Sequence, residues 1–304
     1  MNNFLQFELW KDCNNKCTFC FNNNAATSAD VKYTRISFIR DELKNPKYKS
    51  ITKVGFVGGE FFDKQMDSAL FYEFMLTIAH AYMLPSVKQV LVTSSLLFED
   101  LSQLITMCKL FNTDGKLLIC TSWDTEGRFH TPRHNLLWNK NISKLHKILP
   151  YQEIHVEIIP TQAHILSVLA DKFNINTFKS TFKVNVDYCT PCSGLVYKDK
   201  YDFDAHIPNF FPKRADFLRF LHKVYTEGQA TPDMFTNYNN MSTILWMEVN
   251  GKYQCIEGYR GPLDGKTVDH DYPLPPMHEN TSDYIDSHNR MRKDVLDVWE
   301  NIYG

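Results

Sequence analysis

The sequence predicts an α/β fold: a partial (βα)6 parallel barrel followed by a smaller mixed α+β C-terminal extension. Six short apolar runs rich in β-branched and aromatic residues alternate with longer segments of helical spacing, and this alternation ends near residue 190. Because neighbouring parallel strands need a long connection, the alternation predicts crossover helices. Six units fall short of the eight that close the usual barrel, so we expect a curved, open sheet.

The predicted elements follow one another at regular intervals. Strands are expected at Leu5–Trp10, Lys53–Val57, Gln89–Thr93, Lys116–Thr121, Glu153–Ile159 and Thr181–Val186. Helices are expected, after a weaker one that follows Cys20, at Gln65–Tyr82, Glu99–Phe111, Asn135–Leu149 and Gln162–Phe173. In such folds ligands gather at the carboxyl ends of the strands.

Beyond residue 190 the pattern changes. We expect a helix at Lys213–Tyr225, a hairpin at Ile244–Cys255 with its turn at Asn250–Gly251, and a charged helix near Ser282–Asn301. The sequence therefore divides into a core of residues 1–190 and an extension of residues 191–304 that covers the barrel mouth.

Composition narrows the class of protein. The 304 residues carry a formal net charge of −2, and the 33 basic residues are scattered, so a nucleic-acid polymer is not the expected partner. The N-terminus lacks the pattern of a signal peptide, and no apolar stretch reaches the length that spans a bilayer. We therefore expect a cytoplasmic protein without membrane contact. Its eight cysteines then serve as metal ligands, catalytic groups or buried residues rather than disulfides.

Three cysteines follow the first predicted strand in the segment CNNKCTFC, at Cys13, Cys17 and Cys20. A structural zinc site needs four protein ligands, and this loop offers three. A [4Fe–4S] cluster held by three thiolates keeps one iron open for another ligand. A tight loop with incidental cysteines, or a zinc site completed from elsewhere, are the alternatives.

CNNKCTFC resembles the CxxxCxφC signature of the radical S-adenosylmethionine (radical SAM) superfamily, with Phe19 at the aromatic position. The resemblance implies a [4Fe–4S] cluster whose open iron is chelated by S-adenosylmethionine. Reductive cleavage of this cofactor would give methionine and a 5′-deoxyadenosyl radical that abstracts hydrogen from a substrate. It also implies an electron donor such as flavodoxin or ferredoxin.

The segment Gly58-Gly59-Glu60, at the end of the second predicted strand, is similar to the second motif of that superfamily. The resemblance implies that it contacts the amino group of the cofactor, and the residue types suit this. Glycines allow close backbone approach, and a carboxylate suits an ammonium group. The alternative is an ordinary turn.

Hydroxyl and carboxyl groups follow the next strands. Thr93 and Ser95 would bind the cofactor carboxylate or cap the following helix. Ser122 and Asp124 match places where superfamily members contact ribose hydroxyls, with a solvated loop as the alternative. On the sixth strand, Asp187 lines the cavity or faces solvent, and the sequence leaves this open.

Three further cysteines, Cys189, Cys192 and Cys255, suggest an auxiliary site. The hairpin that ends at Cys255 is similar to part of the SPASM or Twitch extensions of peptide-modifying members. The resemblance implies a second iron–sulfur cluster, but those extensions carry more cysteines. Zinc completed by a histidine, or three unliganded thiols, remain alternatives.

These observations leave three hypotheses about function. The first is a radical SAM enzyme acting on a peptide or protein side chain, and the second is the same chemistry on a small metabolite or nucleotide. The third, from another class, is a non-catalytic zinc-binding module.

Overall fold

The computed structural model describes residues 4–15, 17, 26–111, 115–124, 129, 131–189, 212–236, 241–249, 252–260 and 293–304, with the backbone alone at 47, 189, 236, 241–249 and 252–260. Its described strands form one nine-stranded sheet. They are β1 (Phe4–Glu8), β2 (Lys53–Val57), β3 (Gln89–Thr93), β4 (Leu117–Ser122), β5 (Glu153–Ile158), β6 (Asn185–Cys189), β7 (Phe235–Thr236), β8 (Met241–Val249) and β9 (Lys252–Arg260).

The strand order is β7-β6-β5-β4-β3-β2-β1-β8-β9. All neighbours pair in parallel except β8 and β9, which form an antiparallel hairpin. The six parallel strands β1–β6 in one open sheet confirm the predicted fold class. The bounds of β2 and β3 agree with the sequence prediction to the residue.

Helices connect the parallel strands. Those with described bounds are α1 (Ala29–Glu42), α2 (Ser68–Met83), α3 (Ser102–Phe111), α4 (Pro132–Ile148), α5 (Gln162–Leu169), α6 (Ile175–Phe182) and α7 (Arg214–Thr226). A further helix, α8, is described over residues 293–303. Local sequence explains where two of these helices begin. Asp67 caps α2, because its side chain accepts a hydrogen bond from the N–H of Leu70 at 2.8 Å. Pro132 is the first residue of α4, and its ring fixes a backbone angle that suits a helix.

Two details of the prediction were wrong. The sixth strand is Asn185–Cys189 rather than Thr181–Val186, because Thr181 and Phe182 complete α6. The helix is followed by its C-cap residue Lys183, whose backbone is left-handed with φ 54°. The segment predicted as one helix at Gln162–Phe173 ends at Leu169, and α6 is a separate helix.

The predicted hairpin is present and longer than expected. Its strands β8 and β9 extend the sheet beyond β1, while β7 extends it beyond β6. Segments from beyond residue 190 therefore continue the sheet at both edges. The division of the chain at residue 190 stays a prediction.

The two faces of the sheet differ. One set of alternate side chains packs with the helices into the core, and it includes Phe7, Phe56, Val92 and Ile119, all fully buried. The opposite set defines what we call the inner face. Its apolar part is a small cluster of Leu91, Leu118 and Cys120. Within the described ranges, no helix is long and apolar enough to cross a membrane.

Candidate functional site

The cysteine loop begins where β1 ends, at the carboxyl edge of the sheet. Cys13 and Cys17 are half-buried, and neither forms a disulfide. Phe19 and Cys20 lie outside the described residues, so their predicted roles stay predictions. The two described thiols are accessible and not joined in a disulfide, which suits the donor set that an iron–sulfur cluster requires.

Asp12 closes the base of this loop. Its Oδ2 accepts a hydrogen bond from the backbone N–H of Thr27 at 3.1 Å, and its Oδ1 pairs with the Nζ of Lys32 at 3.1 Å. The same ammonium lies 5.2 Å from the ring centre of Trp10. One carboxylate thus joins the chain just before Cys13 to the chain beyond the loop, fixing the distance between the loop ends.

The two glycines of Gly58-Gly59-Glu60 pack against the chain that leads into the loop. Gly59 N–H donates to the carbonyl of Trp10 at 2.7 Å, and Glu60 N–H donates to that of Asp12 at 2.8 Å. A Cβ on Gly59 would lie 2.0 Å from the Asp12 oxygen, and one on Gly58 would lie 2.3 Å from the Trp10 oxygen. A side chain at either position would therefore overlap the backbone of Trp10 to Asp12, the segment that leads into the cysteine loop.

Glu60 is buried, with 4% of its surface exposed. Its Oε1 accepts from the Phe62 N–H at 3.1 Å, and Oε2 accepts a short bond from the Ser95 N–H. The Ser94 hydroxyl lies 3.3 and 3.4 Å from the two oxygens. Burial raises the pKa of this carboxyl, while the hydrogen bonds from Ser95 and Phe62 oppose the rise. Glu60 thus links the ends of β2 and β3.

Both predicted β3 hydroxyls lie at the end of that strand. The Thr93 hydroxyl donates to the carbonyl of Phe56 at 3.4 Å, and the Ser95 hydroxyl accepts from the Leu97 N–H at 3.2 Å. Between them and α3 the chain passes through Leu96, which has a left-handed backbone with φ 57°. Asn141 donates to the Leu96 carbonyl at 2.9 Å and holds this turn. The roles of Thr93 and Ser95 toward the cofactor stay predictions.

Ser122 and Asp124 lie at the end of β4. Ser122 is half-buried and pairs in register with Glu157 of β5, and Asp124 is buried with 6% exposure. The structure thus brings Gly58–Glu60, Thr93, Ser95, Ser122 and Asp124 to one edge of the sheet with the described cysteines. Their contacts with ribose stay predictions.

The sequence named Asp187 of β6 as a residue that lines the cavity or faces solvent, but it did not predict the polar partners on β5. His155 Nδ1 lies 3.0 Å from Asp187 Oδ2, and His155 Nε2 lies 2.7 Å from Glu153 Oε1. Asn185 donates to the same Glu153 oxygen at 3.0 Å. Burial lowers the pKa of His155, but hydrogen bonds to Asp187 and then Glu153 outweigh it, and the net direction is upward. Asp187 therefore lies on the inner face and holds an imidazole. The strict polar–apolar alternation of EIHVEI was the available signal.

The auxiliary cysteines are only partly described. Cys189 is the last residue of β6, and Cys255 of β9 pairs with Trp246 of β8. Seven strand-to-strand steps separate β6 from β9 along the sheet. Cys192 lies outside the described residues. No group of three or more potential metal ligands occurs within the part of the chain that the structure covers. A second cluster stays a prediction.

Comparison with known proteins supports the loop and the fold separately. Residues 6–142 match the family model of a 4Fe–4S single cluster domain. No curated protein matches the sequence. Among solved structures, anSMEcpe with bound AdoMet superposes with a TM-score of 0.50 at 17% identity, covering 74% of this chain and 59% of that one.

Two other solved structures are less similar. SuiB from Streptococcus suis, bound to S-adenosylmethionine, gives a TM-score of 0.47 at 15% identity, covering 75% of this chain and 44% of that one. HydG, a maturase of the [FeFe]-hydrogenase, gives 0.46 at 12% identity, covering 72% and 48%. The chain spans less than two thirds of the length of each of these proteins.

The likeness to anSMEcpe shows the fold, and the family model places a 4Fe–4S domain on the strands that carry the cysteine loop. The loop CNNKCTFC follows β1 in that fold, and Gly58-Gly59-Glu60 follows β2. These findings show an α/β fold like that of anSMEcpe, with a match to a 4Fe–4S single cluster domain over residues 6–142 that contains both motifs.

Proposed function

We propose that this protein binds a [4Fe–4S] cluster through Cys13, Cys17 and Cys20 and uses it to cleave S-adenosylmethionine. When bound and reduced by an external donor, the cluster would supply one electron to the sulfonium of the cofactor, the chemistry that gives methionine and a 5′-deoxyadenosyl radical able to take hydrogen from the substrate. The observation that carries the proposal is the position of the cysteine loop at the carboxyl edge of β1, within the matched cluster domain.

The residues around the loop serve this function by holding its two described ends. Asp12 ties the two ends of the loop together, and Gly58-Gly59 allow its first segment to pack within hydrogen-bond distance of β2. Holding the two ends lowers the entropic cost of ordering the loop when its thiolates bind a cluster. Thr93, Ser95, Ser122 and Asp124 lie at the same edge and are the proposed cofactor contacts.

For the substrate, we propose a peptide or protein side chain, with a small metabolite or nucleotide as the second candidate. The antiparallel hairpin β8–β9 adds a further pair of strands beside β1 and supports the peptide version. The protein anSMEcpe, whose fold this chain shares, was solved with AdoMet bound. A reduced flavodoxin or ferredoxin is the proposed electron donor, and the cytoplasm is the proposed location.

Anaerobic purification followed by metal analysis and an assay for 5′-deoxyadenosine tests the chemistry. We expect about four irons per chain, or about eight if the auxiliary cysteines bind a second cluster. With S-adenosylmethionine and a reductant, the wild-type protein should form 5′-deoxyadenosine. The Cys17→Ala variant should form none, because it lacks one of the three thiolates that hold the cluster.

The matched control is Cys108→Ala, since this cysteine is fully buried on α3 and burial raises its pKa to about 12. This variant should keep its iron. Bound zinc with no 5′-deoxyadenosine from the wild-type protein would instead support the non-catalytic zinc module. The substrate class is tested by adding either the peptide fraction or the small-molecule fraction of a cell extract, and asking which raises 5′-deoxyadenosine formation.

A further inference from the structure

Leu96, directly after Ser95, has an unfavourable backbone conformation. Its φ is 57°, and its side chain is fully buried. Among the described residues, the other two non-glycine residues with positive φ, Asp171 and Lys183, follow the ends of α5 and α6, where a left-handed residue is common. Leu96 instead lies just beyond β3. A left-handed leucine persists only where the surrounding structure holds it, and such strained residues are concentrated at functional sites.

The side chain that holds this conformation is Asn141 of α4. Only 1% of its surface is exposed, and its Nδ2 donates to the Leu96 carbonyl at 2.9 Å and to the Phe98 carbonyl at 2.7 Å. Both hydrogens of one amide are therefore used on a single short segment of backbone. Rotation of Leu96 to a right-handed or extended conformation would turn its carbonyl away from Nδ2 and leave a buried donor without its partner, which is unfavourable.

The same turn orients the polar groups at the end of β3. The Leu96 N–H donates to the Ser94 hydroxyl at 3.3 Å, and the Leu97 N–H donates to the Ser95 hydroxyl at 3.2 Å. The Ser95 N–H in turn donates to the carboxylate of Glu60. The directions of both hydroxyls therefore depend on the backbone conformation at Leu96.

The helix that carries Asn141 also holds the end of the neighbouring strand β4. Trp138, which is fully buried, lies three residues before Asn141 and therefore on the same face of α4. Its Nε1–H donates to the hydroxyl of Thr121 at 3.2 Å, and Thr121 directly precedes Ser122. One face of α4 thus holds the ends of both strands from which the proposed cofactor contacts of β3 and β4 extend.

We propose that Asn141 is a positioning residue for cofactor binding: it holds Leu96 in the left-handed conformation and so fixes Ser95, a proposed contact of S-adenosylmethionine. This inference rests on the proposed function. A turn that is already fixed does not have to be ordered when the ligand binds, so its affinity for the ligand is higher than that of a mobile turn. Loss of the Asn141 donors should therefore weaken binding, although the amide itself is bonded to the protein.

The test compares Asn141→Leu with Gln152→Met, which is a matched control. Gln152 is also buried, with 4% of its surface exposed, and its Nε2 also donates to two backbone carbonyls, those of Leu117 at 2.7 Å and Glu153 at 3.0 Å. These carbonyls lie at the amino ends of β4 and β5, the opposite edge of the sheet from the proposed site. Each substitution keeps a side chain of similar length and removes both donors.

Four quantities are measured. On cluster-free protein they are the melting temperature and the hydrogen-exchange rate, by mass spectrometry, of the peptide that contains residues 93–99. On anaerobically reconstituted protein they are the dissociation constant for S-adenosylmethionine by equilibrium dialysis, normalised to iron content, and the rate of 5′-deoxyadenosine formation as a function of S-adenosylmethionine concentration.

We expect both variants to melt below the wild-type protein, because each leaves two buried carbonyls without a donor. Only Asn141→Leu should speed hydrogen exchange in residues 93–99, by about 10-fold, because only there does the turn open locally. Only this variant should weaken S-adenosylmethionine binding, also by about 10-fold, the equivalent of one lost hydrogen bond. Its rate of 5′-deoxyadenosine formation at saturating S-adenosylmethionine should stay close to that of the wild-type protein, so that KM rises while kcat does not fall.

Equal affinities of Asn141→Leu and the wild-type protein for S-adenosylmethionine overturn the inference, and so does an equal loss of affinity in Gln152→Met. If Asn141→Leu fails to fold, Asn141→Ala also lacks the donors and replaces it, with the same expected result and the same refutation. In either of these cases, formation of 5′-deoxyadenosine by the wild-type protein leaves the proposed function standing. A wild-type protein that never takes up iron overturns the proposed function and, with it, the role of Asn141 toward the cofactor.

Discussion

Replacing Gly59 by alanine puts a methyl group into the backbone of the cysteine loop. The added Cβ would lie 2.0 Å from the Asp12 oxygen and 2.6 Å from its carbonyl carbon, whereas carbon–oxygen contacts in proteins are about 3.3 Å or longer. The two segments must therefore separate by more than about 1 Å. That shift breaks the hydrogen bonds from Gly59 to Trp10 and from Glu60 to Asp12, which measure 2.7 and 2.8 Å.

Two lost buried hydrogen bonds amount to about 2–3 kcal/mol. For a chain of this length the melting temperature should fall by about 4–6 °C. Because the displaced segment leads directly into Cys13, we also expect Gly59→Ala to retain less iron after anaerobic reconstitution. The matched control is Gly55→Ala, where the added Cβ meets the end of the Phe4 ring at 2.9 Å, a side chain that can move. Equal melting temperatures and iron contents for the two variants would refute this account of the motif.

Two further predictions concern the base of the loop and the inner face. Asp12→Asn should lower iron retention and reduce the free energy of unfolding by about 1–2 kcal/mol, because it weakens the half-buried ion pair with Lys32 and the hydrogen bond from Thr27. The control is the exposed variant Asp41→Asn, which should change neither quantity measurably. His155 has a raised pKa in the folded protein, so its stabilising contribution is full below the unfolded pKa of about 6.5 and is lost as pH rises through the folded value. The difference in melting temperature between the wild-type protein and His155→Gln should therefore shrink from pH 6 to pH 9, and a difference that grows with pH would contradict the ion pair with Asp187.

Local sequence was sufficient for most of the fold. The runs at β2 and β3 are short, apolar and bounded by polar residues, so the sequence alone indicates where each strand begins and ends. The boundary of β6 was missed because Phe178 and Phe182 pack against Trp138, a contact that makes the segment helical and that lies forty residues away along the chain. Tertiary packing here overrode a β-like local composition.

The hairpin shows a second limit. The dipeptide Asn250-Gly251 is a local turn signal, and from it the sequence predicted the hairpin that β8 and β9 form. Its attachment to β1 is a pairing between residues more than 230 positions apart, such as Phe7 with Ile244, and nothing in either segment specifies the partner. Because the sheet does not close, the edge of β1 that faces away from β2 is available for pairing. The strand β8 pairs with it in parallel.

At the site, residue types were predicted better than their partners. The glycines of Gly58-Gly59-Glu60 were expected because close backbone approach requires them, but spacing cannot reveal which backbone lies opposite. That backbone is Trp10 to Asp12.

The ends of β1, β2 and β3 behave as one unit through these contacts. The backbone carbonyl of Asp12 accepts a hydrogen bond from the N–H of Glu60, and the carboxylate of Glu60 accepts one from the N–H of Ser95. A change at any of the three strand ends is therefore transmitted to the cysteine loop through hydrogen bonds that are already made before a ligand binds.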